Sequence, residues 1–394
     1  MTTQRFRFFT AGESHGQGLT AIIEGVPAGL NLSESDIATD LARRQHGHGR
    51  GGRMKIEKDH AKITAGVRHG KTLGSPISLW IMNRDWENWT DRMSITPVEE
   101  EIERVTRVRP GHADLPGSLK YRFDDVRNVL ERASARETAA RVAVAGIAKR
   151  LLGEFGVSFQ SHTISLGNVN AKIPKSVNDV DWTALQSDPV RCADKEASQQ
   201  MVNAIDAAKK DGDTLGGEVE VRVANVPIGL GSYVQWDRRL DGRIAQAICS
   251  INAFKGVGFG LGFAATAKRG SETHDVIQAI ETWDERLWPH ETNRHGGIEG
   301  GISTGEEIIV RAAVKPIPTL ANPLPSVDLE TGEEVLAHYE RSDVCVVPAA
   351  GVVAEAMVAI ILADAWIEKF GGDTIEEIGN NFKNSQDSLK PRKA

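Results

Sequence analysis

The sequence predicts an α+β fold with antiparallel sheets, organised as one large domain over residues 1–394. Three observations carry that expectation. Stretches of strand-like alternation follow one another as hairpin neighbours instead of alternating strictly with helices. Several helices are marked by capping residues at their starts. No low-complexity linker divides the chain, and only the tail "NSQDSLKPRKA", from about residue 384 to 394, reads as loose.

Taken in order, Phe6, Phe8 and Phe9 alternate with arginines in a first strand. "LTAIIEGV", "KITAGV" and "PISLWIM" continue the strand pattern, as do "EVEVRVANV", "GVGFGLGFAA" and "EEIIVRAAV". Ser33 opens a helix that carries Ile37 and Leu41 on one face and runs to about Gln45. "TPVE" at Thr96 reads as a second helix start, with Pro97 in the first turn. In "SARE", Ser134 and Glu137 form the two halves of a capping box. The alanine-rich run that follows suits close helix packing. Further helices are expected near 196–210, 239–254, 348–370 and 374–386. The apolar run from Val344 to Ala363 is broken by Pro348 and Glu355, as a buried core helix would be and an uncharged membrane span would not.

Composition narrows the function. The chain has 47 basic and 54 acidic residues, a net charge of −7, which argues against a general nucleic-acid binder. The start has no apolar run long enough for a signal peptide. Three widely spaced cysteines, Cys192, Cys249 and Cys345, indicate neither a disulfide framework nor a zinc cluster. A reducing cytoplasm is the expected location. The 39 glycines exceed the usual share of ~7% and suggest many tight turns and close backbone approaches.

Against that acidic background, "RRQHGHGRGGR" (43–53) holds four arginines, two histidines and four glycines with no acid. Arg43 and Arg44 could simply complement the end of the preceding helix. Arg50 and Arg53 lie among glycines, where no helix needs them. Guanidinium forks match phosphate and carboxylate geometry, so the stretch reads as an anion site. His46 and His48 alone are weak grounds for a metal, and none is expected. In "ERASARETAARVA", Arg132 and Arg136 flank a helix start, a place where positive side chains make sense if an anion docks there. "GESHG" sets Ser14 and His15 between glycines. In "RPGHADLPG", Pro110, Gly111, Pro116 and Gly117 are expected to fix a turn that presents His112 and Asp114. Histidine is the side chain suited to moving protons near neutral pH. Arg341 and Asp343 stand two apart in "RSDVCVVP". Together these residues point to proton-coupled chemistry on a multiply anionic small molecule. "GVGFGLG" lacks the helix and acidic residue of a dinucleotide fingerprint and reads as a glycine-rich strand. "GHGRGGR" has no Walker lysine.

In combination these segments closely resemble the chorismate synthase family. "TAGESHG", "ARRQHGHGRGGRM", "RHGKTLGSPI", "RPGHADLPG" and "YRFDDVRNVLERASARETAARVA" carry the likeness. So do "DGDTLGGEVE", "INAFKG", "GGIEGGISTG", "VKPIPT" and "RSDVCVVPAAGVV", a set reaching from Thr10 to about Gly372. The resemblance implies a β-α-β sandwich, with helices between antiparallel sheets, and a homotetramer. It implies conversion of 5-enolpyruvylshikimate 3-phosphate to chorismate and phosphate by 1,4-elimination. That reaction needs reduced FMN without net redox change.

The resemblance also supplies roles. Arg44, Arg50, Arg53 and Arg136 would meet the substrate, with the phosphate of NADPH as the alternative for Arg44 and Arg50. The flavin would meet Arg132, Ala133, Ser134, Asn252, Ala253 and Gly300. Lys315, Pro316, Ile317, Pro318, Thr319 and Arg341 complete that set, although Pro318 has no amide N–H to offer. His112 would act as general acid towards the departing phosphate, His15 would stabilise the reduced flavin, and Asp343 would assist removal of the C6 proton. Ser14 and Ser134 would support them by hydrogen bonding. Flavin reduction by NADPH on this protein and supply by an external flavin reductase are both compatible with the sequence. A flavoprotein oxidoreductase and an RNA-binding module are the rival classes; the latter lacks aromatic stacking platforms beside its arginines. No membrane partner is expected. In the stretch 281–297, Trp283 and Trp288 would either cover the flavin or pack between subunits, and packing is the plainer reading.

Overall fold

The computed structural model describes residues 4–52, 58–99, 101–279, 288–340 and 342–389. Two antiparallel sheets enclose a layer of helices. The first sheet orders β1 (Arg7–Ala11), β2 (Gly18–Glu24), β4 (Ile77–Met82) and β3 (Ala61–Ala65) as β1-β2-β4-β3. Its register pairs Ala21 with Leu79 and Ile63 with Leu79 across the central strand. The second sheet runs β8 (Phe254–Phe259), β9 (Ile308–Val314), β7 (Gly217–Ala224), β5 (Ser158–Leu166) and β6 (Val169–Asn170). Ser161 faces Val221 and Arg222 faces Ile309 in its ladders.

Between the sheets lie α1 (Glu34–Gln45), α3 (Thr138–Gly153) and α6 (Val347–Phe370). α3 packs on α1, α6 and β2, while α6 lies against β5 and β7. One continuous apolar cluster joins both sheets through these helices. The α+β expectation and the β-α-β layering therefore hold. α6 is long and apolar enough to cross a membrane, yet its whole apolar window is buried inside the protein. The alanines of α3 allow close approach, and Gly146 shows the limit. A Cβ there would stand 3.0 Å from the Cα of Ile37 on α1.

α1 begins as expected, with Ser33 as N-cap and Asp36 completing a capping box. The helices near 196–210 and 239–254 appear as α4 (Lys195–Lys210) and α5 (Leu240–Cys249). "GVGFGLG" supplies β8 and the turn after it, as the sequence suggested. Strand β5 went unmarked in the sequence, because "SFQSHTISL" is buried on both faces and its polar residues are satisfied internally.

Three local expectations fail. The segment from Thr96 forms no helix among its described residues. Its backbone is captured tertiarily: the Val105 amide donates to Asp125, Val126 donates to the Val105 carbonyl, and Arg107 bridges to Asp328. At "SARE", Ser134 does cap, accepting from the Arg136 amide, but it opens a 3₁₀ turn, Ala135–Glu137, ahead of α3. The Glu137 carboxylate goes to Thr10 and Arg141 instead of closing a capping box. The tail is not loose up to Ser388, because α7 (Ile375–Ser388) is anchored by Phe382 among Phe155, Trp366 and Phe370. Residues 390–394 and Trp283 lie outside the described residues, and Trp288 is 44% exposed.

Candidate active site

The loop after β1 is shaped by backbone needs. Gly12 has φ +112°, and a Cβ there would fall 2.4 Å from the Gly18 carbonyl, so only glycine fits. Asn83, at the end of β4, donates to the carbonyls of Glu13 and Gly16 at 3.2 and 2.7 Å. The loop thus pinned buries Ser14, whose hydroxyl lies 3.2 Å from that of Ser134. The amide of His15 donates to one oxygen of Glu131 at 2.7 Å, and its Nδ1 stands 2.8 Å from the other. A carboxylate only accepts, so Nδ1 carries the proton and Nε2 is the nitrogen able to exchange one. The imidazole stacks on Trp89 with ring centroids 3.9 Å apart. Arg127 lies 5.1 Å from the Trp89 centroid and pairs with Glu131 at 3.1 Å.

The arginines converge beside this loop. Arg44, from the last turn of α1, and Arg136, from the turn before α3, both bond the buried carboxylate of Asp59. Arg136 also donates to Asn83 at 2.9 Å, which ties it to the His15 loop. Arg50 pairs with Asp343 at 3.0 Å, and the Gly51 amide donates to the other oxygen of that carboxylate. Burial pushes the Arg44 guanidinium down to about 10; Asp59 opposes that, while Arg136 and Arg50 add to it. The Arg44 guanidinium thus senses both Arg136 and Arg50. Arg43 belongs elsewhere. It turns inward to Asp40 and to Glu355 of the core helix, so it is not part of the anion site. His48 pairs with Asp206. Arg53 and Arg341 lie outside the described residues.

His112 occupies the predicted turn, but Asp114 does not. Asp114 begins α2 (Asp114–Tyr121) and is completely buried, so it anchors the turn from beneath. It accepts from the Arg109 amide, from Arg109 Nε at 2.7 Å and from His112 Nδ1 at 2.5 Å. Burial would raise its pKa, yet the bonds from His112 and Arg109 hold the carboxyl well below the usual range. The carboxylate of Asp114 accepts a proton held on His112 Nδ1, and Arg109 Nη2 lies 3.1 Å from the same nitrogen. Arg109 also donates to Thr319 at 3.1 Å, and Lys315 Nζ donates to the Gly111 carbonyl. Burial, and then repulsion from Lys255, lowers the pKa of Lys315. Glu340 links the two histidine groups. It lies 3.4 Å from Arg127, and its carboxyl is lowered to about 2: burial opposes the shift, while His338, Arg127 and Arg109 outweigh it.

Most residues expected to meet a flavin also come together. Arg132 donates to the carbonyls of Gly12 and Thr10, and Asn252 donates to the Ala133 carbonyl at 2.8 Å. Ala253 (φ +70°) accepts from the Lys315 amide, joining the second segment to the run Pro316, Ile317, Pro318 and Thr319. A cleft of about 430 Å³ is lined by Phe8, Thr10, Arg132, Arg141 and Asn252. Gly300 lies in another element. It tips a separate hairpin, Ile298–Ser303, that is bonded to Gly231 and Leu240. Sequence reasoning missed Asp59, Asn83, Trp89, Arg109, Arg127, Glu131 and Glu340. Glu131 and Arg109 sit inside motifs already singled out, whereas Asp59 and Asn83 gave no local signal.

With this geometry in view, comparison with known proteins is specific. The family model for chorismate synthase matches residues 6–367. The chorismate synthase of Syntrophotalea carbinolica is 57% identical over 382 residues, spanning 96% of this chain and 97% of that protein. That of Bacillus subtilis is 54% identical, over 96% of this chain and 98% of its own. A crystal structure of a chorismate synthase superposes with a TM-score of 0.79 at 43% identity, covering 98% of this chain and 99% of that one. From near-complete coverage by relatives at these identities, together with the shared fold, it follows that this chain belongs to the chorismate synthase family.

Proposed function

We propose that this protein is the lyase that converts 5-enolpyruvylshikimate 3-phosphate to chorismate and phosphate, the last step of the shikimate pathway, with reduced FMN as cofactor. The observation that carries the reading is a cluster of guanidinium groups, Arg44, Arg50 and Arg136, set beside a loop whose histidine tautomer is fixed. A substrate with two carboxylates and a phosphate matches such a cluster. Breaking the C3–O bond and removing the C6 proton leaves no net oxidation.

The residues present suit a flavin nucleotide. Arg132 and Lys315 offer cations for its phosphate, Asn252 and Ser134 offer hydrogen bonds, and Phe8 supplies apolar surface in the adjoining cleft. When bound, reduced FMN would supply electron density that eases loss of the phosphate.

The protein's own groups do the rest. His112, as the imidazolium with its Nδ1–H held by Asp114, gives its Nε2 proton to the departing phosphate oxygen and is left as the Nδ1–H tautomer. His15, held likewise by Glu131, keeps a proton at the polar edge of the cofactor site. Asp343, paired with Arg50 at 3.0 Å, assists removal of the C6 proton. Ser14 and Ser134 orient these groups by hydrogen bonding. Arg53 and Arg341 complete the anion and cofactor sets in this reading. We read the whole chain as one catalytic domain, acting as a cytoplasmic homotetramer, with flavin reduced by NADPH or by an external reductase.

The deciding experiment is an anaerobic assay for chorismate and phosphate with and without pre-reduced FMN. Stoichiometric release of both, with the flavin still reduced at the end, is expected. Flavin oxidation matched to product would instead mark a net oxidoreductase.

A further inference from the structure

The acid inside the arginine cluster needs an explanation. The side chain of Asp59 is fully enclosed, with one oxygen 3.2 Å from Arg44 Nη1 and the other bonded to Arg136 Nη1. Its own amide donates to Gln45, the residue after Arg44. Each nitrogen of Arg44 donates to a protein acceptor, with Nε on Thr138 and Nη2 on the Ala135 carbonyl, both at 3.0 Å. Arg136 is braced from the other side by Asn83. Three arginines, Arg44, Arg50 and Arg136, face two aspartates, Asp59 and Asp343, leaving one net positive charge. A carboxylate in an anion site lowers the site's attraction for anions by simple Coulomb repulsion. Its retention is understandable if it provides geometry instead. Unclamped, two guanidinium groups from segments far apart in sequence would repel and separate.

We propose that Asp59 is a positioning residue of this site: by clamping Arg44 to Arg136 it holds both at one spacing, so that a phosphorylated substrate meets preformed donors. This rests on the proposed function for the identity of the substrate. The geometry predicts the opposite sign from charge counting. Removing a negative charge should tighten anion binding, whereas removing a clamp should weaken it.

The test compares the parent, Asp59→Asn and Asp59→Glu as full-length chains, with folding checked by circular dichroism and thermal midpoint. Calorimetry measures inorganic phosphate affinity, and anaerobic kinetics measure kcat and KM. Misplacement of about 1 Å at a site can cost about 10²-fold. We therefore expect kcat/KM to fall by about that factor in Asp59→Asn, with weaker phosphate binding. Asp59→Glu, which keeps the charge but shifts it by a methylene, should lose activity in the same direction. Tighter phosphate binding in Asp59→Asn, or kcat/KM of both variants within about twofold of the parent, would overturn the proposal. A parent that binds phosphate but forms no chorismate would refute the proposed function alone, and the calorimetric comparison would still decide the role of Asp59.

Discussion

Replacing Glu355 by alanine should destabilise the fold by about 3–5 kcal/mol, the usual cost of breaking a buried ion pair from one side. Glu355 sits on the central helix with no exposed surface. Its oxygens accept from both terminal nitrogens of Arg43 at 2.6 and 2.9 Å, from Lys149 at 2.7 Å and from Ser161 at 2.5 Å. Arg191 stands 3.9 Å away, and Asp40 shares Arg43 and Lys149. In the parent, three cations face two carboxylates; in the variant, one carboxylate remains for all three. Glu355→Gln keeps the shape but turns an amide NH₂ towards cationic donors, so its loss should also exceed about 1 kcal/mol, since a hydrogen bond to a charged group contributes roughly 1.5–3 kcal/mol. Urea unfolding at pH 7 is the assay: the midpoint should fall while the slope stays constant.

The pH dependence gives a second check. Burial would raise the Glu355 pKa, but Arg43 and Lys149 hold it well below its ordinary 4.5. A depressed folded-state pKa means the stabilisation is complete above about 4.5 and is lost as pH falls from there towards the folded value. The gap between parent and variant should therefore be full at neutral pH and narrow in acid. If both variants unfold within about 1 kcal/mol of the parent at pH 7, the reasoning fails. The cluster's attraction would then merely offset its desolvation.

His112→Ala should reduce turnover by about 10²–10⁴-fold while flavin binding persists, measured by anaerobic turnover and flavin fluorescence. Asp114→Asn should depress turnover in the same direction by freeing the His112 tautomer, and the two losses should not add in the double variant. Trp89→Ala removes the ring stacked on His15; it should lower kcat/KM with little change in thermal midpoint. Gly146→Val should cost about 1–3 kcal/mol, because the added atoms press on the backbone of Ile37.

Legibility in the sequence followed locality. A cap revealed α1 because Ser33 acts within its own helix start, and Asp194 and Thr374 cap α4 and α7 in the same local way. The segment from Thr96 carried the same signature, yet its amides found partners at the Asp125 carboxylate and the Val327 carbonyl, which no window of sequence can show. At the site, glycine-framed loops disclosed His15, His112 and Arg50, since unusual backbone forms leave a compositional trace. Their partners did not. Asp59, Asn83 and Glu340 are ordinary residues in ordinary contexts, and they matter only through what folding brings beside them. Arg43 and Arg44 show the limit most sharply. Adjacent in sequence and alike in chemistry, they point to different networks because successive residues on a helix diverge by about 100°.

The placement of α6 has a consequence for biosynthesis. The helix that both sheets rest upon, directly or through α1 and α3, is formed by residues 347–370, so it leaves the ribosome after nearly everything it must support. At roughly 5–20 residues per second, the apolar inner face of the first sheet, whose strands end at Met82, waits on the order of 15–60 s for this scaffold, and that of the second, whose strands end at Val314, about 3–11 s. Nascent chains arrested before residue 347 should accordingly be protease-sensitive and recruit holdases, while release of the last few dozen residues should convert them abruptly to a resistant form.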